Sequence, residues 1–192
     1  MPKLTKKHLI LMGVMLVITF GLTLVHVPAN ITSAMMQGNN AGVYATIGDA
    51  AIYAAVMLCG WPWGGIVAAV GSAVADVVLG SNYYIIGTLL VKFGMAYVAA
   101  LLAMQCKSWK QCFLSAGVVE MFMVVGYFIF NLLIIRDFLV AGKAFLVDLA
   151  QGVVCVGLGG LALHYLPIVR PSTMPRLKTK RRKARERDDE WS

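Results

Sequence analysis

TLLVKFGMAY, Thr88–Tyr97, sets a single lysine inside a run that otherwise reads as lipid-facing helix. Extended to residues 85–104, the run holds nine Leu, Ile, Val or Phe residues. Together these favour insertion by roughly 3 to 5 kcal/mol, against a penalty of about 2.5 to 3.5 kcal/mol for one central lysine. The segment therefore inserts as a helix, and Lys92 needs a polar cavity, an anion or a path to water, because lipid offers it no partner. At about 1.5 Å per residue, Lys92 lies only about 10 Å below the outer end of the span. Outward snorkelling is one way to satisfy it, and other polar groups at similar depth are another.

The same reading extends along the chain. Of its 192 residues 59% are hydrophobic and 14% charged, with a mean hydropathy of +0.76, far from the balance of a soluble globular domain. A bilayer core of about 30 Å takes about 20 apolar residues of helix per crossing. Segments of this kind are placed at about 8–28, 47–60, 64–80, 85–104, 112–135 and 144–166, the second and third being short. They meet at GWPWGG, Gly60–Gly65, where proline and glycine break the helix and two tryptophans suit the water interface. Helices are chosen over strands because lipid requires each backbone polar group to be paired within its segment, and the runs are too long and too evenly apolar for barrel strands. The expected fold is an all-α membrane protein, a compact bundle of six transmembrane helices.

Orientation follows from the cations. With a cytoplasmic N-terminus, Lys3, Lys6, Lys7, Lys107, Lys110 and the nine tail cations from Arg170 to Arg187 fall inside, and only Arg136 and Lys143 fall outside. This asymmetry predicts both termini in the cytoplasm of a cell-membrane protein. Lys6 and Lys7 precede an apolar run, Leu9–Val27, longer than a signal-peptide h-region, so it reads as a retained first span. Residues 1–168 form the expected membrane domain. Residues 169–192 form a basic tail, disordered or a frayed helix extension, which accounts for much of the +8 net charge and is drawn to anionic lipid rather than to nucleic acid. The four cysteines show no CxxC spacing, which supports neither a disulfide framework nor a metal site.

Four acids and one lysine in the spans are costly for so small a chain. Asp49 lies near the outer end of the second span, Asp76 near the outer end of the third, and Glu120 deeper in the fifth. Asn131 lies near that helix's outer end. Asp148 and Gln151, in VDLAQG, are three apart and so share a face of the sixth. The expected arrangement is inward, around a polar pocket open to the outside, with Glu120 and Asp76 as counter-charges for Lys92. Asp49 reads as structural, capping a helix or holding a loop. Small residues repeat at four-residue intervals in GGIVAAVGSAVAD, Gly64–Asp76, and recur at Gly152, Gly157, Gly159 and Gly160. Such spacing lets backbones approach closely, most often within one bundle.

The order of GVYATIGDAAIY (42–53), GSAVADVVLGSNYYIIGTLLVKFGM (71–95), EMFMVVGYF (120–128) and LAQG (149–152) resembles the membrane-embedded substrate-binding subunit, or S component, of energy-coupling-factor (ECF) vitamin transporters. Within that family it is similar to the branch whose ligands include pyridoxine, hydroxymethylpyrimidine and riboflavin. The likeness runs from about Pro28 to Leu161. It departs at Phe93, where a glycine is common, at Asp148, where asparagine is frequent, and in the first helix, which lacks an alanine-spaced face and offers only Gly13 and Gly21.

The resemblance implies that a vitamin is bound in an outward pocket built from outer helix halves and the loop after the first helix. Here that loop is ANITSAMMQGNNAGVY (29–44), long enough to act as a lid. Tyr44, Tyr83 and Tyr84 would stack on a flat ring, or serve as interface anchors. Asn39, Asn40, Asn131 and Gln151 would bond its edges, beside Lys92, Glu120, Asp148 and Asp76. It also implies a transmembrane coupling subunit and two ATPases as partners. The sequence contains no GxxxxGK[ST] phosphate loop, so energy comes from outside it. No cofactor or catalytic group is expected, and His8, His26 and His164 form no constellation. The alternatives are a stand-alone ion-coupled transporter, against which stands the lack of an evident inverted repeat, and an integral membrane enzyme.

Overall fold

The structure is a computed structural model that describes residues 5–28, 44–136 and 138–166. Among the described residues six α-helices follow in order: α1 (Lys6–Leu24), α2 (Gly48–Cys59), α3 (Trp63–Val78), α4 (Ile85–Ala103), α5 (Trp109–Ile135) and α6 (Phe138–Tyr165). Four of them, α1, α4, α5 and α6, are long and apolar enough to cross a membrane. α2 and α3, with 12 and 16 residues, reach only about 18 and 24 Å at 1.5 Å per residue. The tail from residue 167, and Asn39 and Asn40 with most of the expected lid, lie outside the described residues.

Local chemistry sets the ends. The hydroxyl of Thr5 accepts from the His8 N–H to cap α1, and Ser108 accepts from Gln111 to cap α5. α2 stops at Gly60, whose φ of 71° suits glycine, and Trp61–Pro62 carries the chain into α3. α5 stops at Arg136, in the left-handed region at φ 53°, and α6 starts two residues later at Phe138. This is earlier than the expected 144, because one glycine and one lysine near the end of an apolar run do not prevent helix formation.

The fold also departs from an all-helical reading in one place. Strands β1 (His26–Pro28) and β2 (Tyr44–Thr46) pair antiparallel, His26 opposite Thr46 and Pro28 opposite Tyr44. Three residues are too few for a period-two pattern to register. The pairing holds the two ends of the 29–43 connection side by side above the bundle.

Burial runs opposite to that of a soluble protein. Large aliphatic residues such as Ile10, Val17, Leu114, Leu133, Leu146 and Val153 face outward. Asp49, Asp76, Lys92, Glu120 and Asn131 are each at most 3% exposed, as expected where the surroundings are hydrocarbon and the polar groups must find one another. The centre of the bundle packs Ile52 and Tyr53 of α2 against Met95 of α4 and Val119 and Met123 of α5.

The small residues serve packing within the chain. A Cβ on Gly64 would sit 2.5 Å from the Ala55 carbonyl oxygen, so α2 and α3 touch backbone to backbone there. Gly64→Val should therefore lose about 1–3 kcal/mol to overpacking, read as a lowered melting temperature in detergent. A valine that leaves melting unchanged would contradict this close approach. At Gly159 the Tyr53 ring fills the space a side chain would need, which brings the phenol hydroxyl into the bundle.

Candidate functional site

The answer to the opening lysine is an ion pair. Lys92, the eighth residue of α4, is 3% exposed and its ammonium bonds the Asp49 carboxylate in the first turn of α2. The ammonium also lies 5.2 Å from the centre of the Tyr127 ring, a favourable cation–π distance. The other Asp49 oxygen accepts from the Gln151 amide at 2.5 Å, and the Gln151 carbonyl accepts from the Thr46 backbone N–H at 2.8 Å. The Thr46 hydroxyl accepts from Gly48 N–H at 3.0 Å and reaches the Leu22 and Thr23 carbonyls at 3.1 Å. One chain of bonds thus ties α4, α2, α6, β2 and the end of α1.

This corrects the expected counter-charges. Glu120 accepts from the Tyr53 hydroxyl at 2.8 Å, and Asp76 accepts from the Tyr44 hydroxyl. Neither forms the ion pair with Lys92. Nor does Asp49 act through a backbone cap, since no side-chain bond caps α2. It is a structural residue of another kind, the lysine's partner. The sequence places each group at a depth along its helix, but rotation about the axis decides which carboxylate faces the ammonium.

Beyond this network lies a chamber of about 490 Å³, counting its open mouth. Its walls come from the end of α1, β2, the last turns of α3, the first turns of α4, the end of α5 and the first half of α6. That is the end of the bundle opposite Lys6 and Tyr165. Of the residues singled out above, Lys92, Asp76, Asp148, Asn131, Gln151, Tyr44 and Tyr84 line it. Glu120 and Asp49 lie behind the wall, and Tyr83 is exposed.

Thr23, Thr46, Ser72, Thr88 and Tyr127 line it as well. Tyr127 donates to Thr88 at 3.1 Å. Its signal in the sequence is its place four residues before Asn131, on the same helical face. The hydroxyl residues carry no comparable signal, because Ser and Thr are common inside membrane helices as backbone-bonded groups; Thr19 and Thr23 bond Met15 and Thr19 carbonyls in this way, both at 2.8 Å.

The chamber is unusual in what its atoms lack. Ser72 Oγ, one Asp76 carboxylate oxygen, the Tyr84 hydroxyl and both amide atoms of Asn131 are buried without a hydrogen-bond partner. Native interiors leave few such atoms, and here they converge on one space. Tyr44, on β2, is held differently. Burial, with the Asp76 carboxylate beside it, raises its hydroxyl above the ordinary range, so it stays protonated and donates. Deeper in, Asp49, Glu120 and Cys155 bring donor atoms within 4.8 Å of one another, a spacing a metal ion also uses. In this structure the cation at Asp49 is the Lys92 ammonium.

The arrangement can bind and orient a polar ring. Three tyrosines supply flat faces, and amide and carboxyl groups supply edges. No curated protein and no solved structure matches the chain. A family model described as the S component of the ECF-type riboflavin transporter matches residues 3–167, nearly the whole membrane domain. Members of that family are substrate-binding subunits of transporters, not enzymes. With its apolar multi-pass helices and a polar chamber at one end, this chain belongs to the ECF-type riboflavin transporter S component family.

Proposed function

We propose that the chain captures a small water-soluble vitamin or vitamin precursor in this chamber from the outer face of the cell membrane. In this reading all six helices lie in the bilayer, both termini are cytoplasmic, and the chamber opens outward, as the cation asymmetry favours. The observation that carries the proposal is the convergence of five unpartnered buried polar atoms on a space at that end. Their desolvation is offset only when something polar fills it. Lys92, Asp76, Asp148, Asn131, Tyr44 and Tyr84 contact the ligand or shape its seat. Gln151, bonded at both ends of its amide, holds β2 in place. Glu120 supports the wall through Tyr53.

Delivery follows from what the chain lacks. Without a phosphate loop it draws on the ECF module, in this proposal a transmembrane coupling subunit and two ATPases that reorient it with the ligand enclosed. Native mass spectrometry of gently purified protein should show a bound small molecule, identified by its mass. Liposomes holding the chain alone should bind that molecule without accumulating it under a proton or sodium gradient. Those holding the full module should accumulate it with ATP. Gradient-driven uptake by the isolated chain would instead establish the stand-alone transporter.

A further inference from the structure

We propose that Cys106 and Cys112 are a redox-reactive thiol pair, which closes into a disulfide when a peroxide or a small disulfide reaches it and reopens to a dithiol reductant. The site is independent of the capture reading. It lies at the end of the bundle away from the chamber, since Thr88 on the chamber wall and Ala103 are about 22 Å apart along α4. Cys106 belongs to the connection between α4, which ends at Ala103, and α5, which starts at Trp109; Cys112 is in the first turn of α5. The spacing C-x5-C is not that of the common redox or zinc motifs. The turn between two helices is what brings the sulfurs together. The Cys106 thiol donates to the Ser115 hydroxyl at 3.6 Å, and Ser115 stands three residues after Cys112, on the same face of α5. Both thiols pack on one apolar cluster, Cys112 within it and Cys106 at its edge. They are within hydrogen-bonding reach of each other.

Access sets the order of reaction. Of the four cysteines only Cys106 is not buried. Cys59 packs with Met15 and Val67 in a separate cluster, and Cys155 donates to the Thr46 carbonyl near the chamber. An oxidant arriving from water therefore meets Cys106 first, with Cys112 directly behind it. Because Cys106 belongs to neither helix, its sulfur can approach Cys112 without unwinding one. Exposed Lys107 and Lys110 add positive charge on the path of an anionic disulfide such as glutathione disulfide. With a peroxide, the Cys106 thiolate attacks one oxygen; the S–O bond forms, the O–O bond breaks, and the hydroxide released leaves as water with the thiol's proton. The Cys112 sulfur then attacks the sulfenic acid. An S–S bond forms, the S–O bond breaks and a second water leaves, so two thiols are oxidised as one peroxide is reduced to two waters. With a small disulfide, Cys106 first forms the mixed disulfide and releases one thiol, and Cys112 then displaces the other. In a reducing compartment the pair rests as the dithiol, the behaviour of transient, redox-sensing pairs.

The test treats the full chain in lipid nanodiscs, first reduced and freed of reductant, with hydrogen peroxide or with glutathione disulfide. The intact chain should lose about 2 Da, the mass of two hydrogens, and after denaturation it should take up two fewer maleimide labels. Peptide mapping should join Cys106 to Cys112 within one chain, and dithiothreitol should restore both thiols. Cys112→Ala should halt with a sulfenic acid on Cys106, captured by dimedone. Cys106→Ser should react at least about tenfold more slowly than the wild type, because its remaining thiols are buried. If either variant fails to fold, the wild-type map still decides. A link that joins other cysteines or two chains overturns the pair, as does oxidation of Cys106 that leaves Cys112 free. So does a chain that keeps all four thiols at peroxide doses that fully oxidise free glutathione.

Discussion

Lys92→Met should lower the unfolding free energy by about 3–5 kcal/mol, because removing one partner of a buried ion pair leaves the other charge uncompensated. The stranded group is Asp49, 1% exposed, whose second oxygen holds Gln151 and through it the backbone of Thr46. The loss should therefore extend to β2 and loosen the entrance of the chamber, so that ligand affinity falls together with the melting temperature. The decisive comparison is a pair of double variants. Lys92→Met with Asp49→Asn should recover at least half of the lost stability, since a neutral amide still accepts from Gln151 and no charge remains unpaired. Lys92→Met with Glu120→Gln should recover almost none, because Glu120 bonds Tyr53 instead. Thermal unfolding in one detergent measures all four proteins. Rescue through Glu120 rather than Asp49 would show that the ion pair has been assigned to the wrong carboxylate.

That comparison also marks where sequence reading stops. The six apolar runs, the break at Gly60–Pro62 and the inward direction of the charges were all legible, because each follows from the cost of exposing polar groups to lipid. Ends were less so: α6 begins at Phe138 rather than near 144, since Gly142 and Lys143 resemble a connector in composition while satisfying their backbones as helix. Pairing was not legible at all. Lys92, Asp49, Asp76 and Glu120 lie on four different helices, and a rotation of one helix by about 100°, the step of a single residue, would exchange one partner for another. The short β1–β2 ladder was hidden for a different reason, as its six residues include a histidine, a proline and a threonine without alternation. The hydroxyl lining of the chamber belongs to the same class. Ser72 and Thr88 become informative only once one sees that a neighbouring space, not a backbone carbonyl, faces the serine oxygen.

Asn131→Leu should raise stability and abolish function at once. The Asn131 amide is buried with neither its donor nor its acceptor bonded by another protein group, an arrangement that costs up to about 1–3 kcal/mol of desolvation. Leucine keeps the branched outline with bulkier methyl ends, which the adjoining chamber can take up, is the better helix former and leaves no polar atom behind. The variant should therefore gain about 1 kcal/mol or more, read as a higher melting temperature in detergent. Ligand affinity should move the other way, by about 100-fold or more, because a bound polar ligand would then face an apolar group in place of a donor and an acceptor. Opposite signs from one substitution separate a binding residue from a packing residue, whose removal lowers both quantities together, and they are the expected mark of a site kept at the expense of stability. A destabilised Asn131→Leu protein would mean that the amide is bonded within the fold. Unchanged affinity in a stabilised one would move the ligand away from the end of α5.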